Sequence, residues 1–135
     1  MDVTIQKNKI NVEELIEKTR SEKAGAIVTF QGTVRKFTGS TEVKSLFYES
    51  YSEMATKLIR TIIDDAINKY KILDVNVIHR IGEIGLGEDS IAICVSSEHR
   101  KEAFLACEFV IDMIKEKAPI WKKDILPSGG SKWHN

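Results

Sequence analysis

Proline and cysteine are scarce in this chain, with two of each among 135 residues, and its 20 basic and 20 acidic side chains leave no net charge. Each shortage narrows the possibilities. Cys94 and Cys107 form no C-x-x-C, and His79, His99 and His134 complete no metal-ligand spacing, so neither a metal nor a resident cofactor is implied. Zero net charge argues against a nucleic-acid binder, which is usually basic overall, and no aromatic residues interleave with cations to stack bases. No apolar run approaches the ~20 residues that span a membrane. Residues 1–6 lack the basic and apolar regions of a secretory leader. The expectation is a cytoplasmic protein with neither a nucleic-acid nor a membrane partner. The G-x-G at 85–87 lacks a following Gly-Lys-Ser/Thr and runs into Glu88 and Asp89, so it reads as a turn and not a phosphate loop.

What is present is ordinary globular composition, 42% hydrophobic and 30% charged, over a length that suggests one domain spanning 1–135. Residues 2–6 alternate weakly, as an edge strand does. Asn11, Val12, Glu13 and Glu14 look like a capping box opening a short helix that ends near Arg20. Residues 26–35 are β-rich and nearly continuous in their apolar half, which predicts a central strand; Gly32 within it suggests a bulge or a close backbone approach. Residues 36–42 read as a mobile loop, and 43–51 as a strand returning antiparallel to the previous one. Residues 52–70 keep apolar spacing from Met54 to Tyr70, a scaffold helix capped by Ser52. Leu73, Val75, Val77, His79 and Ile81 form one face of a strand, where a lone histidine is more often a core or interface residue than a catalyst. Residues 90–96 give a further strand, in which Cys94 reads as a small buried hydrophobe. The order is roughly β-α-β-β-α-β-β-α with a β-rich or irregular tail. That is an α+β fold, with the long helices covering one side of a mostly antiparallel sheet.

The most informative stretch is 96–124. Ala103, Phe104, Cys107, Val110, Ile111 and Ile114 recur at helical spacing, with Ser97 as a plausible cap and Pro119 as the stop. Lys115 falls four residues after Ile111 and so extends the apolar stripe. A lysine beside apolar surface and other cations has its charged form disfavoured, and it can then exchange protons near neutral pH or act as a nucleophile. Lys122, after Trp121, approaches the same place if the chain folds back at Pro119. Lys117 and Lys123 read more simply as solvated or dipole-compensating charges. His99 and Arg100 pair two cations at the helix start, where backbone N–H groups already favour an anion. Arg35 is either a solvated strand-end charge or an anion ligand. No nucleophile–His–acid set and no carboxylate pair is evident.

F-Q-G-T-V-R at 30–35, V-I-H-R-I-G-E at 77–83, H-R at 99–100 and K-x-K-A-P-x-W-K-K at 115–123 resemble the catalytic (large) subunit of molybdopterin synthase, over roughly residues 24 to 133. The resemblance implies an α/β hammerhead fold with a small extra β region. It implies sulfur transfer from the C-terminal Gly-Gly thiocarboxylate of a small sulfur-carrier subunit to cyclic pyranopterin monophosphate, forming the molybdopterin dithiolene. It assigns substrate binding to Thr33, Val34, Arg35, His99 and Arg100, and catalysis to Lys115 and Lys122, which also contact substrate. Lys123 and Asp124 would flank the site, and Phe30 and Pro119 would line the channel for the partner's tail. It further implies a homodimer of large subunits within a heterotetramer, with pockets that can draw on both copies. The alternative reading is a non-catalytic module that binds a phosphorylated ligand or acidic peptide; a lysine on the core stripe discriminates against it.

Overall fold

Two apolar faces on one strand decide the main sheet. In β8 (Asp89–Ser97), Ile91, Ile93 and Val95 point to one side while Ala92 and Cys94 point to the other, and all are buried. A strand covered on both faces reads as a continuous apolar run. The computed structural model describes residues 1–133; His134 lies outside the described residues. β8 sits inside a four-stranded sheet ordered β1 (Val3–Gln6), β6 (Asp74–Arg80), β8, β2 (Ala26–Thr33). The sheet is antiparallel except where β1 runs parallel to β6. The helices α2 (Ser52–Lys69) and α3 (Arg100–Lys117) pack on its Ile93 face. The short helix α1 (Val12–Thr19) covers Ala92 and Cys94 through Leu15. The two long helices thus cover one side of the sheet, as expected, and only the short α1 lies on the other.

A second, smaller sheet is ordered β10 (Ser131–Trp133), β9 (Ile120–Ile125), β5 (Ser45–Ser50), β7 (Gly82–Gly85) and is antiparallel throughout. Its own small core is Val34, Val43, Leu46 and Ile84. The chain passes between the sheets at Gly32/Thr33, where the β2–β8 register shifts. That shift is the bulge expected at Gly32, and a Cβ there would lie 2.8 Å from Ile91 Cγ2. Beyond the bulge, Val34 drops into the second core and its N–H is satisfied by Glu88 O. A bulge bends its strand and redirects the side chains beyond it; the side chain redirected in this strand is Arg35.

Several local expectations are corrected. β2 is an edge strand, because β8 pairs with it on one side only. The strand after it, β5, joins the other sheet and does not pair with β2. Residues 36–42 hold a small hairpin, β3 (Phe37–Thr38) and β4 (Thr41–Glu42), turned by Gly39 at φ 61°. The G-x-G at 85–87 does form a turn, between β7 and β8. Asn11 caps α1, accepting from the Glu14 N–H. Ser52 and Ser97 cap nothing: the caps are Tyr51 and His99, with no side-chain cap bond, and Ser97 Oγ donates instead to His99 O. Met54, 61% exposed, leaves the apolar face of α2.

Gly25 ties the start of β2 to the start of α3. Its N–H donates to Ser97 O at 3.0 Å, and a Cβ there would lie 2.4 Å from the Glu98 carbonyl oxygen. Both partners are backbone, so neither can swing aside. Gly25→Ala is expected to cost about 1–3 kcal/mol, the usual range for overpacking. Chemical denaturation measures it, and an unchanged midpoint would show that the segment relaxes freely.

Candidate active site

α3 reaches from the far side of the main sheet to the junction of the two sheets. Its buried face is Ala103, Ala106, Cys107, Val110, Ile111 and Ile114. Phe104, read as part of that stripe, is 60% exposed. The helix stops at Lys117, with the Ala118 N–H bonded to Ile114 O, and Pro119 prevents its continuation. Lys115 is in the last turn, where the helix's partial negative charge favours a cation. It is exposed, which corrects the expectation of a stem held along the core.

After Pro119 the chain folds back as β9 and pairs with β5, setting Lys122 opposite Tyr48 and Lys123 opposite Phe47. Strand alternation sends these adjacent lysines to opposite faces. Lys122 faces inward. Lys123 faces outward, its ammonium 5.1 Å from the Phe47 ring centroid and 4.9 Å from that of Trp133.

The result is a cavity of about 620 Å³ between the sheets and the end of α3. Arg35, Lys115 and Lys122 line it, with no carboxylate among the lining residues. Phe30, Thr33, Ile111 and Ile114 contribute from β2 and α3, and Thr38 from the hairpin. Tyr48, His79 and Ser90 form a polar wall opposite. A smaller cavity between β1 and α1 is lined by Asp2, Lys9, Glu14 and Lys18, but Lys18 pairs with Asp2 and Lys9 with Glu88, so its cations already have partners.

Lys122 carries the electrostatic consequence. Burial holds its amine below the ordinary lysine range; the charge of Lys115 adds to the effect, Asp124 opposes it and Arg35 adds again. The depressed lysine is thus Lys122, partly buried, and the exposed Lys115 acts on it as a neighbouring charge. Asp124 is 1% exposed and accepts from Thr38 Oγ1 at 3.4 Å, which fixes the hairpin over the site.

Of the residues expected at a site, Phe30, Thr33, Arg35, Lys115 and Lys122 are brought together, with Asp124 immediately behind. Val34 is 2% exposed in the second core, and Pro119 lies beside the cavity, its carbonyl accepting from the Tyr51 N–H. Lys123 points away. His99 and Arg100 are exposed at the other end of α3, about 22 Å from Lys115 at the helical rise of 1.5 Å per residue. Tyr48, Ser90 and Thr38 were not anticipated. Their membership depends on β5–β9 pairing and the hairpin, which no local pattern announces.

The MoaE protein family model matches residues 5–117. The chain belongs to the MoaE family. A molybdopterin synthase catalytic subunit of Thermoplasma volcanium is 53% identical, with 98% of this chain and 96% of that protein covered. The X-ray crystal structure of molybdopterin synthase from Staphylococcus aureus superposes with a TM-score of 0.92 at 39% identity, covering 98% of this chain and 96% of that one. A chain from the protein–protein complex of subunits 1 and 2 of the molybdopterin-converting factor of Helicobacter pylori shares the fold, with a TM-score of 0.81 at 22% identity over 98% and 90% of the two chains. MoaE membership makes the chain an enzyme of the molybdopterin synthase catalytic-subunit class, with the mixed α+β architecture described above.

Because the positive charge of Lys115 is the second cause of the depression at Lys122, Lys115→Gln is expected to move the Lys122 pKa part of the way back up. NMR titration of the labelled lysine amines reads this directly. An unmoved Lys122 would place the whole effect on burial and separate the two amines.

Proposed function

We propose that the cavity binds cyclic pyranopterin monophosphate and that the chain transfers sulfur to it from the C-terminal thiocarboxylate of a small subunit, in the cytoplasm. Residues 1–135 act as one domain in this reading. The observation that carries it is the set of three cations, Arg35, Lys115 and Lys122, around one cavity with no lining carboxylate. Arg35 suits the phosphate, since a guanidinium gives planar paired contacts. Lys122, with its lowered pKa, is the group that holds or moves a proton, while Lys115 supplies fixed charge as the thiocarboxylate attacks. Sulfur must come from outside the chain. Cys94 and Cys107 are buried, and burial pushes the Cys107 thiol up to about 11. Phe30 and Pro119 stand where an extended tail would enter. Mass spectrometry of the pterin product, after mixing with a small protein ending in a Gly-Gly thiocarboxylate, tests the activity. Equal turnover with free sulfide would refute the need for a partner.

Arg100 and Lys115 of one chain are too far apart to touch the same monophosphate. Both can serve one pocket only if they come from two copies. The open edge of β2 offers the means: it is apolar over Ala26, Ile27, Val28 and Phe30, and such edges invite pairing. An antiparallel β2–β2 contact with its twofold between Thr29 and Phe30 sets Ala26 of one copy opposite Thr33 of the other. Ala26 already pairs with Ser97, so His99 and Arg100 travel with it to the other copy's pocket. This is the homodimer we propose within a heterotetramer, with Arg100 and His99 acting across the interface.

Lys115→Ala is expected to lower kcat by roughly a hundredfold, in the range for loss of one preorganised group that stabilises developing charge, while Lys117→Ala changes it little. Equal losses would reduce the segment to bulk positive charge. Inactive Lys115→Ala and Arg100→Ala homodimers, mixed and allowed to exchange, should regain about a quarter of wild-type activity, because each mixed dimer then holds one intact pocket. No recovery after demonstrated exchange would put both residues in the same pocket of one chain.

A further inference from the structure

His79 lines the cavity with one ring nitrogen engaged and the other, among the described residues, without a hydrogen-bond partner. It is 5% exposed, at the cavity end of the Val75, Val77 row of β6. Nδ1 lies 2.8 Å from Arg80 O, and a carbonyl oxygen can only accept, so Nδ1 carries the proton. Nε2 therefore presents a lone pair. No described residue bonds to it, yet it is not among the sealed, unpartnered side-chain atoms, so it is reached from the cavity. Burial also draws the imidazole pKa down to about 4, which keeps the ring neutral under ordinary conditions.

The surroundings hold this ring in place. The Tyr48 ring meets it edge-on with centroids 5.1 Å apart. Ser90, beside Tyr48 on the same wall, donates its Oγ hydrogen to Gly32 O at 3.1 Å. Across the sheet His79 pairs with Ile91, and Ile91 with Gly32, so His79 stands two strands, about 10 Å, from the start of the Thr33–Arg35 segment. Lys122 sits opposite Tyr48 on the adjoining sheet. Arg35 thus lies toward one end of the cavity, and at the other His79 offers a fixed acceptor beside Tyr48.

We infer that His79 is a specificity-determining residue, accepting at Nε2 a hydrogen bond from a ring N–H of the bound heterocycle while its phosphate lies toward the cations. This rests on the pterin-phosphate reading above. A neutral, oriented imidazole selects a donor edge and disfavours a heterocycle that presents an acceptor there, because the two lone pairs would face each other unpaired.

The experiment uses the chain with its thiocarboxylate partner and the pterin monophosphate. In ¹⁵N spectra of histidine-labelled protein, saturating substrate should shift the Nε2 signal of His79 while Nδ1 stays protonated. His79→Phe should raise KM about tenfold, the loss of one net hydrogen bond, with kcat within about twofold. His79→Gln, which keeps an acceptor, should restore most of that loss. An Nε2 signal unmoved by substrate overturns the inference even if a variant fails to fold; so does an unchanged KM in His79→Phe, or equal kcat losses in both variants. Absence of any wild-type product would instead sink the pterin reading itself, so the two failures are distinguishable.

Discussion

The packing of α3 along β2 and β8 is the constraint on which the rest depends. Its buried face is made of small and β-branched residues, Ala103, Ala106, Cys107, Val110, Ile111 and Ile114, which let the helix lie close to the sheet. That contact fixes where its last turn falls, and with it Lys115. Pro119 then forces the chain back along β5, so the position of Lys122 depends on the same helix. Arg35 reaches the same place from the other direction, turned out of the main sheet by the bulge at Gly32. Three cations converge because three backbone interruptions occur beside one helix end. Each fully buried aliphatic side chain in that packing contributes about 1.5–3 kcal/mol, which offsets the mutual repulsion of the cations.

The long helices were legible because their periodicity is local: α3 and its proline stop, and α2 despite Met54, emerge from spacing alone. The bulge was legible from one glycine inside an apolar strand. What could not be read locally was pairing. Residues 26–33 are apolar enough to look central, yet they form an edge. Apolar content reports that something covers a strand, not whether it is a neighbouring strand, a helix or another chain. The division into two sheets was hidden for the same reason, since β5 finds its partners in β7 and β9, far away in sequence. Lys115 was placed on the right turn but assigned the wrong burial, because helical phase says nothing about where the neighbouring layer ends. Lys122, the amine that is depressed, sits in a short stretch with no periodicity to read.

The site separates two demands on positive charge. Substrate binding needs cations that stay charged, and proton handling needs one that gives up its proton readily. Clustering serves both, because burial, and after it the neighbouring charge of Lys115, depresses Lys122, the most buried member. Arg35 cannot lose its proton in any case. The polar wall of Tyr48, His79 and Ser90 brings no further charge into this balance, which leaves the depression of Lys122 to burial and to its cationic neighbours.

Lys122 and Lys123 are chemically identical and adjacent, and only the pleat of β9 distinguishes them. One faces the cavity, and the other is clamped between Phe47 and Trp133. A slip of β9 by a single residue would put Lys123 in the place of Lys122, or Lys122 in the place of Lys123, without altering composition, charge or length. The chain opposes that slip at both neighbours of the pair. Asp124 is buried behind the hairpin, where a shifted register would insert Lys123 or Ile125, and Trp121 meets Tyr51 edge-on with ring centroids 5.0 Å apart. Insertions or deletions between Pro119 and Trp121 are thus a distinct class of change. They would leave the fold recognisable and every reactive side chain present, yet a one-residue deletion would hand the proton-handling position to Lys123, and a one-residue insertion would hand it to Trp121.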